Sequence, residues 1–267
     1  MVGRVIGLGL MIALSGGCEC GSKEPAHEAE LPKGFDEVMQ EHAGLSVAAR
    51  NALIRGELEV AQQAMRKLAF FMEHVPTPEK GQEYARITRE LVEQVRQASD
   101  LEEACMGFAR LSYACGQCHH GLDRGPPIKL EPTPEGEDLK THMRRHYFAI
   151  ERMWEALLAD STAEFQSAAD LLAEAPLHGP QDPDQESHKG VTRLAYEVHD
   201  LAFAAAVEGK VGEDEYIPKP GEPVEDDPTT WGQAEIFGRL LSACNQCHTM
   251  LEVTPALTAD ERRKAAQ

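Results

Sequence analysis

The run Cys115-Gly116-Gln117-Cys118-His119 returns, with a different filling, as Cys244-Asn245-Gln246-Cys247-His248. No other feature constrains this chain as strongly. A Cys-x-x-Cys-His run reads as a site of covalent c-type haem attachment. Each sulfur adds across one haem vinyl group, and the two-residue spacer sets the sulfurs at the right separation. On a helix, the histidine that follows lies close beneath the iron and supplies an axial nitrogen. The competing readings are a thioredoxin-like redox pair and half of a zinc site. Neither explains why a histidine follows the second cysteine both times.

The residues around the runs read as helices. Phe35, Met39, His42, Ser46, Ala49 and Leu53 step by fours and threes along one helical face, and Gly56 ends it. A second helix is predicted over 57–74, with Val60, Ala64, Leu68 and Phe71 inward and Pro76 and Pro78 closing it. A third starts near Glu79 and turns Tyr84, Ile87, Leu91 and Val95 inward. Ser99-Asp100 is a start signal for a fourth, over 101–120, which delivers the first Cys-x-x-Cys-His run.

The plan then repeats. A shift of 104 positions lays Leu139, Met143, His146 and Leu157 on Phe35, Met39, His42 and Leu53, and carries Ala168 and Leu172 onto Ala64 and Leu68. Lys189-Gly190 answers Lys80-Gly81 in the third helix. The second half is longer because of a proline-bearing acidic stretch over 208–230, predicted to be a loop between third and fourth helices. The chain is an internal duplication of all-α class.

The N-terminus bears on where such a protein works. Met1-Val2-Gly3-Arg4 is a short basic start, followed by an apolar run from Val5 to Leu14 and by Ser15-Gly16-Gly17-Cys18. About ten apolar residues are too few for a stable span, so 1–17 is expected to be an export signal. The small residues before Cys18 resemble a bacterial lipoprotein cleavage box, with Ser15 where that box usually has leucine; ordinary cleavage nearby is the alternative. Residues 18–34 then form a polar tether. Cleavage removes only Arg4 among the charged residues, leaving 25 basic and 45 acidic side chains. Such acidity argues against nucleic acid and favours a basic protein partner.

Two sets of four helices, each with Cys-x-x-Cys-His near the end of the fourth, resemble the cytochrome c-prime family, including its cytochrome c-556-like members. The resemblance implies two tandem antiparallel four-helix bundles, 35–125 and 139–250, joined by a linker at 126–138 and followed by a tail at 251–267. It implies one haem between the helices of each bundle, with His119 and His248 as proximal iron ligands and Cys115, Cys118, Cys244 and Cys247 as thioether sites. The far side of each iron would face the first helix of the same unit. Members of that family either leave the sixth position empty or fill it with methionine.

This chain offers Met39 and His42 in one half and Met143 and His146 in the other, each pair three apart on the inward face. An unpaired imidazole buried on that stripe would be costly, whereas a methionine needs no explanation. His42 and His146 are therefore the favoured distal ligands, with Met39 and Met143, or an open site, as the alternatives. His142 matches Val38 in the first half and is the weaker candidate. Cys105 reads as a buried thiol. No Ser/His/Asp set, Gly-rich phosphate loop or basic aromatic surface is discernible. The expected function is a dihaem c-type cytochrome passing single electrons to redox partners outside the cytoplasmic membrane, not an enzyme. The alternatives are a protein that binds or senses NO or CO and, more remotely, a dihaem peroxidase. The last needs an acid-base residue that is not recognisable.

Overall fold

A computed structural model describes residues 35–74, 77–126, 132–136, 138–175, 186–208 and 232–251. All belong to one compact unit, Pro32–Gln267. The expected export signal, Cys18 and the tether lie outside the described residues, as do parts of the linker and all but the first residue of the acidic loop and of the tail.

Among the described residues there are eight α-helices and no strand, the all-α class expected. They are α1 (Phe35–Ile54), α2 (Leu58–His74), α3 (Gln82–Gln97, after a 3-10 turn at Glu79–Gly81), α4 (Leu101–Gly121), α5 (Leu139–Leu158), α6 (Thr162–Ala173), α7 (Glu186–Glu208) and α8 (Gly232–Met250). Local chemistry sets several starts. Asp100 accepts the Glu103 amide at 2.9 Å, while the Glu103 carboxylate accepts the Ser99 amide at 2.7 Å, a reciprocal cap on α4. Asp138 accepts from Thr141 N and Ser161 from Glu164 N, opening α5 and α6.

The ends of α1 and α5 are alike in detail. Gly56 and Asp160, one on the other under the shift of 104, both adopt positive φ, 76° and 51°. In α1 the Glu57 amide donates to the Ala52 carbonyl at 2.9 Å and the Gly56 amide to Leu53 at 3.0 Å. In α5 the Ser161 amide donates to Ala156 at 2.9 Å and the Asp160 amide to Leu157 at 3.3 Å. This is the Schellman closure, which satisfies the carbonyls two and three from the end. The carbonyl of the last helical residue, Ile54 or Leu158, is left for another donor.

Consecutive helices pack within each half, and α4 packs on α8 as extensively as neighbours within a half do. The two halves therefore share one core, in which Leu53, Met65, Leu68, Phe108, Leu111, Met153, Leu157, Phe165, Leu172, Leu194 and Phe237 are fully buried. Small residues let α4 and α8 approach closely. Gly238 is so near Met106 that an added methyl would stand 3.0 Å from its Cα. Helix α4 is accordingly buried on nearly all sides over Ala104–Gln117, whereas α3 keeps an outer face of Glu83, Arg86, Glu90, Glu93 and Arg96 in ion pairs.

The central pair runs antiparallel. The start of α8 reaches the α5–α6 turn, where Gln233 Nε2 donates to Thr162 Oγ1 at 3.0 Å, and the end of α4 lies at that same turn. The two Cys-x-x-Cys-His runs therefore face opposite ends of the core. A second tie between the halves is Arg50, fully buried, whose guanidinium stacks 4.7 Å from the ring of Trp154, its own counterpart under the shift. Its Nη2 donates to Tyr147 Oη at 3.0 Å and to Glu151 Oε1 at 3.3 Å.

Three residues read as inward are exposed: Val60, Leu139 and Met143. On α2 the buried set is Ala61, Ala64, Met65 and Leu68. At 100° per residue Val60 stands about a quarter-turn from the centre of that arc. Leu139 and Met143 share an arc with Ile150 and Leu157 but sit in the first turns of α5, where Thr141 and His142, on another side of the helix, are the buried residues.

Candidate functional site

Cys115, Cys118 and His119 occupy the last turns of α4 at spacings of three and four, which puts them on one face. Cys115 is buried, and Cys118 and His119 are half-buried. All four motif thiols are free. Burial, and then the neighbouring Cys118, pushes the Cys115 thiol up to about 12; burial pushes Cys118 up to about 11. Cys244 repeats this at about 12, from burial and then Cys247, and burial also raises Cys247. These are neutral thiols held against apolar surroundings. A thioredoxin-like pair depends on the opposite, an attacking thiol whose acidity is increased. Among the described residues no group of three or more His, Cys, Asp or Glu is arranged to hold a metal ion directly.

The two motif histidines are held in the same way. His119 Nδ1 lies 3.0 Å from the carbonyl oxygen of Leu158, and His248 Nδ1 lies 2.9 Å from that of Ile54. A carbonyl only accepts, so each Nδ1 carries the proton and donates it, and in the neutral ring the lone pair is then on Nε2. That tautomer suits metal ligation through Nε2. The acceptors are the two last-residue carbonyls that the Schellman closures leave over. Each belongs to the first helix of the opposite half.

Further contacts fasten the first motif to the α5–α6 turn. Gln117 Nε2 donates to Asp160 Oδ1 at 2.7 Å, and His120 Nδ1 stands 3.5 Å from Asp160 Oδ2. A methyl built on Gly116 would run into the Leu157 carbonyl oxygen and stand 3.1 Å from its carbon. At the second motif, Asn245 Nδ2 lies 3.6 Å from the Sγ of Cys105, which is fully buried. Burial pushes the Cys105 thiol up to about 12, against the smaller opposing pull of Asn245.

His42 is half-buried on α1, and Met39 lies one turn earlier, also half-buried. Burial pulls the His42 imidazole down to about 4, with a smaller contribution in the same direction from His119. The lowered value leaves the His42 imidazole neutral near neutral pH, with a lone pair available. In the second half His146 stands in a row of three imidazoles. Its ring centroid is 4.2 Å from that of His142 and 5.9 Å from that of His199. His142 is buried, and His199 Nδ1 donates to the Ala173 carbonyl at 3.1 Å. Met143 is exposed.

The residues present fit a covalently bound haem in each half: buried or half-buried thiols at the right spacing, an adjacent imidazole whose Nδ1 is bonded to a carbonyl, and, in the first half, a second imidazole held neutral on α1. Sequence reading missed the carbonyls of Ile54 and Leu158, the roles of Gln117 and Asp160, and the association of His142 and His199 with His146. The pairing of Ile54 with Leu158 and of Gly56 with Asp160 was present in the 104-residue register; that each serves the other half was not. Compared with known proteins, the chain matches no family model, no curated sequence and no solved structure.

Proposed function

We propose that this chain is a dihaem c-type cytochrome that carries single electrons outside the cytoplasmic membrane, each half being a four-helix bundle around one haem. The observation that carries this reading is the repeated Cys-x-x-Cys-His helix end with its histidine Nδ1 bonded to a helix-end carbonyl, which turns Nε2 away as the available ligand atom. Cys115 and Cys118 would hold one haem, with His119 as proximal ligand. Cys244 and Cys247 would hold the other, with His248. His42 and His146 are the proposed distal ligands. A bound haem supplies a one-electron iron couple, whose potential follows its axial ligands and its burial. The chain's own part is to orient the imidazoles, exclude water with the shared core, and present an acidic surface to a basic partner.

Two imidazoles favour the ferric state relative to a Met/His pair, so the potentials are expected to lie below those of Met/His cytochromes. The net charge of -19 favours docking to a basic face, with exchange rates that fall as salt rises. Export through 1–17 and lipid attachment at Cys18 complete the proposal.

The test is the visible spectrum of oxidised and reduced protein, with and without CO, for wild type, His42→Ala and His146→Ala. The proposal expects low-spin wild-type spectra unaffected by CO, and a CO-sensitive iron in each variant. A high-spin ferric wild type shifted by NO would replace electron transfer with gas binding.

A further inference from the structure

We infer that each half of the molecule supplies the group that orients the other half's iron-ligating imidazole, so that the two haem sites form a reciprocally coupled pair. This rests on the dihaem reading above and adds who positions what.

The argument starts at the helix ends. A Schellman closure consumes the carbonyls two and three from the end and leaves the last one, at the negative end of the helix dipole. In α5 that carbonyl is Leu158, and it receives the His119 Nδ1 proton; in α1 it is Ile54, and it receives the His248 proton. Donors and acceptors are both matched pairs of the duplication, and both bonds cross from one half to the other. A coincidence of packing would not be expected to repeat at the same rank in both helices with distances of 3.0 and 2.9 Å.

The consequence is chemical. A proton shared with a carbonyl at a helix C-terminus makes Nε2 more basic, and a more basic axial nitrogen favours the ferric state. The strength of that bond at the first site depends on the α5–α6 turn, which Gln117 grips through Asp160 at 2.7 Å. At the second site it depends on the α1–α2 turn. There a methyl on Gly56 would meet Thr249 Oγ1 at 3.4 Å and would be strained by the φ of 76°. Asp160 and Gly56 are thus positioning residues for the iron of the half to which they do not belong.

The two sites also lie close along one rod. Asn245 in the second motif touches Cys105, and Cys105 is ten residues before Cys115 on α4. At 1.5 Å per residue the two attachment segments are about 15 Å apart along the helix axis.

The experiment uses the full chain with both haems and measures each midpoint potential. A potential is assigned to a site by its loss in chains lacking Cys115 and Cys118, or Cys244 and Cys247. Asp160→Gly keeps the left-handed backbone and removes the Gln117 grip. It should raise the potential of the haem at His119, by up to about tenfold in the ferric/ferrous equilibrium, or ~59 mV for one electron, and leave the haem at His248 unmoved. Asp160→Asn retains an acceptor for Gln117 and should behave as wild type. Gly56→Ala should move the haem at His248 alone; if it does not accumulate, Gly56→Asn, which tolerates positive φ, takes its place. Shifts confined to the haem of the substituted half, or two haems with unmoved potentials, would overturn the coupling and leave the dihaem reading standing. A purified chain without haem would overturn both.

Discussion

Gly116→Ala gives the sharpest stability prediction. Glycine to alanine inside a helix ordinarily stabilises, by about 1 kcal/mol. Here the new methyl points at the end of α5, where it would overlap the Leu157 carbonyl oxygen and come within 3.1 Å of the carbon and 3.5 Å of the Asp160 amide nitrogen. These are backbone atoms closed into a capped turn, so no side chain can swing aside. Carbon contacts are comfortable at 3.5–4.0 Å, so the end of α5 has to retreat by about 1 Å. Overpacking of this kind costs about 1–3 kcal/mol, which cancels or exceeds the propensity gain. Gly190→Ala is the internal reference. On α7 its methyl meets only the tip of the flexible Met250 side chain, 2.9 Å away at Sδ, so the ordinary gain should survive. Thermal unfolding followed by circular dichroism should therefore place Gly116→Ala several degrees below Gly190→Ala, at about 2–4 °C per kcal/mol for a chain of this size. If Gly116→Ala raises the melting temperature as much as Gly190→Ala does, the close approach of α4 to α5 is wrong.

Other expectations follow from single contacts. Because the two halves share one core, calorimetry should give one cooperative transition; two resolved transitions would contradict the α4–α8 packing. Trp154→Ala removes a nearly buried indole under Arg50, together with its Nε1 bond to Ser112 Oγ at 3.0 Å, and should cost about 3–5 kcal/mol by urea unfolding. Asp100→Ala should cost about 1 kcal/mol through the lost cap of α4. Hydrogen bonds from Thr141 hold the Asp138 carboxyl below its usual range. Its contribution is present above the unfolded carboxylate pKa and is lost as pH falls through the lowered folded value. Asp138→Asn should therefore weaken the acid-side decline in stability below about pH 4.

The helices were legible because their signals are local. Gly56, Pro76 and Asp100 mark ends and starts by backbone chemistry, and the 104-residue register showed that the halves share a plan. Burial was less legible where it depends on what lies opposite. Val60 fits a three-four stripe as well as Ala61 does, and only the packed neighbours decide which faces inward. At the site, the cysteines and histidines of the two motifs were legible as a covalent pattern. Their supports were not, since Leu158 and Ile54 act through backbone carbonyls, and any residue type carries one. Asp160 takes a left-handed conformation that sequence associates first with glycine, so its likeness to Gly56 was hidden by a change of residue. The row of His142, His146 and His199 joins two helices more than forty residues apart, beyond the reach of any single-helix pattern.

The most direct test of the central claim is the intact mass of the purified, exported chain under denaturing conditions, which counts covalently attached haems. The account predicts a mass increase of two haems in wild type. It predicts one haem after Cys115→Ser with Cys118→Ser, one after Cys244→Ser with Cys247→Ser, and none when all four are replaced. A wild-type chain of unmodified mass at the motif cysteines, or one carrying zinc and no haem, would contradict it.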